Sequence, residues 1–149
     1  MTVLHKNLTD PSLHEVKGAA AATSGQVPIS DGVGSAPFGK PKQQLVIELN
    51  TANNDDYSVP LASSIDVVSF DLVIDDATAT SGSAVITIVN QSAASLGADI
   101  TVTDSQSAGT VFSTTASSNN TGVTKLQITT PASGNNVRAH LTITYRNTV

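Results

Sequence analysis

From Val137 to Tyr145 apolar and polar side chains alternate without a break. Val137, Ala139, Leu141, Ile143 and Tyr145 fall on one face, and Arg138, His140, Thr142 and Thr144 fall on the other, with Arg146 continuing the polar series. A period of two marks a β-strand whose faces see different surroundings, so this segment predicts a strand with one face in a core and the other wet or at an interface. Similar patterns predict strands at Leu45–Leu49, Ile65–Ile74, Ala84–Val89, Asp99–Thr103, Gly109–Thr114 and Val123–Thr129, with a weaker one at Tyr57–Leu61. Within Ile65–Ile74, strict alternation puts Val68, Phe70, Leu72 and Ile74 on one face and Val67, Ser69, Asp71 and Val73 on the other. Thr and β-branched residues are abundant, and no amphipathic stretch of helical period is long enough to be useful.

Turn chemistry separates these runs. Thr80–Ser83, Ser117–Gly122 and Ser133–Asn136 hold the Gly and Asn that accept positive φ. Short strands at such spacing predict an all-β domain, an antiparallel β-sandwich of jelly-roll or immunoglobulin-like topology. The two topologies produce the same alternation and stay open here. Residues 1–42 have no sustained period and are rich in Gly, Pro, Ala and Ser, and Pro37, Gly39 and Pro41 close the segment as a stiff hinge. The chain therefore divides into an extended N-terminal arm, residues 1–42, and a β-sandwich domain, residues 43–149.

Size and composition sharpen this picture. A chain of 149 residues supports one core plus an arm. Tyr57, Phe70, Phe112 and Tyr145 are the aromatics of the β domain, so its core is mostly Val, Ile and Leu. Val46, on the face opposite Leu45, Ile47 and Leu49, shows that apolar residues also occupy second faces, which favours a subunit interface. With no cysteine, disulfides and zinc–thiolate sites are unavailable. The first residues show no signal-peptide pattern, and Ala19–Ala22 is far shorter than the about twenty apolar residues of a membrane span. No membrane partner is expected.

Charge is uneven. The arm carries Lys6, Lys17, Lys40 and Lys42 against Asp10, Glu15 and Asp31, a net of +1. The β domain carries Lys125, Arg138 and Arg146 against nine acidic residues, a net of −6. Such a body would repel phosphate backbones, so nucleic acid is not an expected partner.

Candidate chemistry is sparse. His5, His14 and His140 lie far apart and outside any HExxH spacing, and no serine sits in GxSxG. His140, on the polar face of its strand, reads as a surface or interface residue. The pairs Asp55–Asp56 and Asp75–Asp76 could contribute oxygens to a calcium site but lack the DxDxDG spacing and read as solvated loops. Glu48 could serve a glycan hydrolase if it faced an aspartate, although the few aromatics disfavour sugar stacking. Asp31–Gly34 reads as a tight turn rather than a phosphate loop, since no Lys-Ser or Lys-Thr follows it. No enzyme activity and no cofactor are expected.

The most informative stretch is Asp10–Phe38. It holds Leu13-His14-Glu15, Lys17-Gly18, a small-residue run into Ser24-Gly25-Gln26-Val27, and then Asp31-Gly32-Val33-Gly34-Ser35. This resembles a leader found on structural proteins of tailed bacteriophages, the capsid decoration or head-fibre family, and departs from it at Val16, where proline is usual. The resemblance implies a virion protein whose arm docks on the major capsid protein or another virion protein. It also implies a homotrimeric β domain on the outer capsid surface. Related leaders occur on tail fibres, which keeps a host-receptor or adaptor module, binding a surface glycan through loops such as Ser117–Gly122, as the alternative. Physically, Ser12 three residues before Glu15 has capping-box spacing, and Gly18 opposes continuation of a helix. Leu13 and Val16 would then present an apolar face, and His14, Glu15 and Lys17 charged hydrogen bonds, to the docking partner, while Gly18 would let the backbone lie close.

Overall fold

The computed structural model describes residues 22–29, 38–50, 56–76, 84–103, 105–130 and 138–148. The chain divides into two units, residues 1–41 and 42–149. The expected turns at Thr80–Ser83 and Ser133–Asn136 lie outside the described residues. In the first unit, β1 (Val27–Pro28) pairs antiparallel with β2 (Phe38–Gly39). A turn precedes β1: the Gln26 amide donates to the Thr23 carbonyl at 3.1 Å and Gly25 has φ +82°. Positive φ at the third position is type II geometry, which glycine adopts without a Cβ penalty.

The second unit is all-β and antiparallel throughout its named strand pairings, as the alternation predicted. Its strands are β3 (Gln43–Asn50), β4 (Asp56–Ile74), β5 (Ala84–Val89), β6 (Ile100–Val102), β7 (Val111–Thr115), β8 (Val123–Thr129) and β9 (Arg138–Asn147). Every segment predicted as a strand in this unit contributes to one of them. Two predicted segments, Tyr57–Leu61 and Ile65–Ile74, are a single strand of 19 residues.

That strand organises the sandwich. Its first half, Asp56–Pro60, pairs with β8, which continues to β5 and β6; its second half, Ile65–Ile74, lies between β9 and β7, and β9 continues to β3. The sheet thus curls over itself, and β4 passes from one layer to the other where its register slips between Pro60 and Ile65. Strands that switch layers do so at such irregularities. The end of β9 holds this corner: Thr148 N and Oγ1 both donate to the Ser64 carbonyl, at 3.1 and 2.8 Å, and the two hydroxyls also bond each other.

A second slip falls between Val67 and Ser69 and changes which side chains face inward. Strict alternation put Val68 with Phe70 and Val67 opposite. In the structure Val67 and Phe70 are both fully buried while Val68 is only half-buried. One extra residue in a strand reverses the facing of everything on one side of it. Ile65 and Val67 therefore point inward before the bulge, and Phe70, Leu72 and Ile74 after it.

The inner face of the β3–β9–β4–β7 layer is built from rungs. Leu45, Ile143, Phe70 and Thr114 form one, Ile47, Leu141, Leu72 and Phe112 the next, and Leu49, Ala139 and Ile74 the third. Ile143, Phe70, Leu141, Leu72, Leu49, Ala139 and Ile74 join Ile86, Ile88, Ile100, Val102, Leu126 and Ile128 of the other layer in one buried cluster, with Leu45, Ile47 and Phe112 partly buried against it. Each fully buried aliphatic or aromatic side chain contributes roughly 1.5–3 kcal/mol. At the layer's margin the Tyr57 hydroxyl accepts from the Asn50 amide at 2.8 Å and donates to the Asn50 carbonyl at 3.2 Å, tying the end of β3 to β4.

Candidate interaction surfaces

The residues expected to dock on a capsid, Leu13, His14, Glu15, Val16, Lys17 and Gly18, lie outside the described residues. The surfaces that can be built up from side chains belong to the β unit.

The outer face of the β3–β9–β4–β7 layer repeats the rung pattern with different chemistry. Gln44, Thr144, Ser69 and Thr115 form one rung, Val46, Thr142, Asp71 and Ser113 the next, and Glu48, His140, Val73 and Val111 the third. Ser113 Oγ donates to Asp71 Oδ1 at 2.5 Å across neighbouring strands. His140 Nδ1 lies 2.5 Å from Asp75 Oδ1. An ionised carboxylate only accepts, so Nδ1 carries the hydrogen. Arg138 Nη1 meets Asp76 Oδ2 at 3.2 Å, with both side chains more than half exposed (56% and 62%), so the pair adds little to stability.

Asp75 and Asp76 are thus each engaged by a β9 side chain, while Asp55 lies outside the described residues. No group of three metal-ligating side chains occurs among the described residues. Glu48 and Asp71 sit two strands and one rung apart on an exposed sheet face, roughly 12 Å between Cα atoms from sheet spacings. Paired carboxylates of glycosidases face each other across a cleft, whereas these two lie side by side on one face of a sheet. A groove of about 210 Å³ lies between β6 and β7, below the roughly 300 Å³ at which small-molecule sites begin.

The Ser117–Gly122 loop, considered above as a recognition loop, is anchored along its length. Val67 N donates to the Asn120 carbonyl at 2.8 Å, and Asn120 Nδ2 donates back to the Val67 carbonyl at 2.7 Å. Asn120 thereby supplies both partners that the bulged strand would otherwise find in a neighbour. Gly122 N bonds Asp66 Oδ1 at 3.1 Å, and the Ser117 hydroxyl and Asn119 Nδ2 both reach the Ser95 carbonyl, at 2.8 and 3.2 Å. The neighbouring turn is organised by Asn90, whose Oδ1 accepts from the amides of Ser92 (2.9 Å) and Ala94 (3.1 Å). Ala93 in this turn has φ +60°.

Replacing Asn120 by alanine leaves the Val67 carbonyl without this donor. The expected loss is about 1–2 kcal/mol in urea unfolding, with Asn120→Asp costing at least as much because it places a carboxylate against a carbonyl. The sequence marked Asn120 only as a turn residue. The adjacent apolar pair Val67-Val68, which interrupts the alternation, was the available signal for the bulge it serves.

No protein-family model matches the chain, and no curated protein matches it. Among solved structures the chain is similar to a protein of the disulfide-linked pili of Bacillus endospore appendages, at 14% identity and a TM-score of 0.46, over 73% of this chain and 88% of that one. It is also similar to a chain of the cyanophage Pam1 capsid asymmetric unit, at 13% identity and 0.39, over 71% and 81%. A chain of infectious bursal disease virus, Gx strain, gives 14% identity and 0.25 over 80% of this chain and 36% of that one. Scores this low carry no argument about fold or role.

Among the described residues of the β unit, the exposed large hydrophobics are Val46 (56%), Val111 (57%) and Val85 (40%). Val46 and Val111 sit at opposite margins of the same outer face, on β3 and β7, and Val85 is on β5 in the other layer. Sequence alternation gave Val46 as its example of an apolar residue on a second face. Val85 and Val111 emerge once the strands are placed.

Proposed function

We propose that this chain is a virion structural protein of a tailed bacteriophage, a capsid decoration or head-fibre protein that docks through its N-terminal arm and projects the acidic β domain outward. The observation that carries the reading is the leader itself, Leu13-His14-Glu15 with Lys17-Gly18 and Asp31–Ser35, joined to a β body of opposite charge. Leu13 and Val16 supply apolar contact and His14, Glu15 and Lys17 hydrogen bonds to a shell protein, and Gly18 permits close backbone approach. A protein of this kind needs no chemistry: binding only to assembled shell shifts the assembly equilibrium toward it by mass action. Among the described residues every buried hydrophobic lies between Leu49 and Ile143, which supports a division of labour between a self-sufficient body and an arm used for attachment.

The test is immunogold electron microscopy of intact particles with antibody raised against the β domain. Label spread over the head is the expected result. Label confined to the tail would replace decoration with the receptor-binding alternative, and unlabelled particles would sink the virion assignment.

A further inference from the structure

We propose that two copies of this chain associate through the edge of β3 that no described strand covers, pairing antiparallel about Val46 so that the β3–β9–β4–β7 layers of both join into one sheet. The inference stands on the geometry of this edge and does not depend on the virion reading.

An edge strand exposes a row of backbone donors and acceptors, and folded proteins blunt such rows with brevity, proline, lysine, charge or bulges. The other strand edges of the unit are blunted in these ways. β6 has only three residues. β7 has five, and is tied at its end by the Gly97–Ala116 bridge. The first half of β4, paired on one side with β8, contains Asp56 and Pro60. Of these devices β3 has only a single charge, Glu48. It runs eight residues, Gln-Gln-Leu-Val-Ile-Glu-Leu-Asn, without lysine, proline or a break in its register against β9. Among the described residues β9 is its only sheet partner.

Its sequence is also complementary to itself. With Val46 opposite the partner copy's Val46, antiparallel order sets Gln44 against Glu48 and Glu48 against Gln44 on the outer face. On the inner face it sets Leu45 against Ile47 and Ile47 against Leu45. The strand's single charge therefore meets a carboxamide that can donate to it, never its own like. Val46 is 56% exposed, and Leu45 and Ile47 are only partly buried at the margin of the core. Pairing covers all three. Cross-strand pairs of this kind are the units that stabilise sheets. Shifting the register by one residue in either direction brings Leu45 or Ile47 against Val46, setting inner-face side chains against outer ones.

The buried area of one edge falls below the ~1,200 Å² of stable interfaces, so a dissociation constant on the order of micromolar is expected. Copy number should be even: a dimer alone, or a hexamer if threefold contacts also form.

The chain has no cysteine, which permits a direct test on the full-length protein. Val46→Cys, Val85→Cys and Val111→Cys are each oxidised mildly and resolved without reductant, and the masses of the unmodified protein and of Val46→Lys are followed by sedimentation across micromolar concentrations. The expected result is a covalent dimer from Val46→Cys well above the other two, and a Val46→Lys variant of half the native mass whose association is weakened on the order of 100-fold by like charges placed face to face. Mixing Val46→Lys with Val46→Glu should restore the native mass, which a misfolded variant could not do. A wild-type protein that stays monomeric overturns the proposal. So does a trimer indifferent to Val46→Lys, or crosslinking at Val85 or Val111 equal to that at Val46.

Discussion

Phe70→Ala should destabilise the protein by about 3–5 kcal/mol and lower its melting temperature by roughly 10–20 °C, measured by urea unfolding and calorimetry. Phe70 is fully buried, and the size of the effect follows from what surrounds it. Its strand is hydrogen-bonded on both sides, to Ile143 of β9 and to Thr114 of β7, so the backbone cannot move inward to fill the space. From the β5–β6 connection Gly97 lies against the ring: a Cβ at Gly97 would come within 3.5 Å of it and 3.1 Å of the Thr115 carbonyl. The glycine brings its own backbone close and has no side chain with which to occupy the cavity. A conservative Phe70→Leu keeps most of the buried volume and should lose about half as much. A cost for Phe70→Ala under about 1 kcal/mol would mean that Phe70 is not packed between the layers.

That contact also shows where sequence reading succeeds and where it stops. Alternation is a local property, and it located Ala84–Val89, Val123–Thr129 and the strand containing Ala139, Leu141 and Ile143, because each has a run that keeps one face in the core: Ala84, Ile86 and Ile88, then Leu126 and Ile128, then Ala139, Leu141 and Ile143. It failed within β4 for two physical reasons. Pro60 through Ser64 has turn-like composition, yet it forms the bend by which one strand serves both layers. At Val68 the period slips by one residue, and the compensation comes from Asn120, 53 positions away from Val67. Pairings at that distance leave no trace in the local pattern. Gly97 is legible as a loop glycine, but its role in admitting Phe70 depends on which strands become neighbours.

The candidate surfaces divide in the same way. The leader residues are legible as a motif, since a docking segment's contacts lie in its own consecutive side chains, and they fall outside the described residues. The β3 edge is different. Val46 and Glu48 announce an alternating strand, but whether that strand is central or at a margin is decided by topology. Only with β9 placed on one side and no described strand on the other does the self-complementary order of Gln44, Val46 and Glu48 acquire a consequence. His140 reads as a surface residue in the sequence and is one: it is half exposed and bonded to Asp75, a residue that sequence separation kept apart from it.

Deleting residues 1–41 should abolish attachment to shells while leaving the β domain folded. The stability half of this prediction follows from the core. The rungs and the cluster they join run from Leu45 to Tyr145, so removing the first unit takes away β1 and β2 but no described part of that core, and a change in melting temperature of less than about 3 °C is expected. The binding half follows from the division of charge. What remains carries four cations, Lys42, Lys125, Arg138 and Arg146, against nine acidic residues, a body suited to projecting into solvent, and it has lost Leu13, His14, Glu15 and Lys17. Arms that order on binding lose conformational entropy and hold weakly one at a time; several delivered together by one oligomer can bind 10²–10⁴-fold more tightly than one alone. Cosedimentation of the full chain and of residues 42–149 with undecorated capsids, each at the same concentration, separates the cases. A shortened chain that is folded and stays in the supernatant supports arm-mediated docking, whereas one that pellets as well as the full chain moves the docking surface onto the β domain. An aggregated fragment would show instead that the body needs the first unit to fold, against the two-part organisation itself.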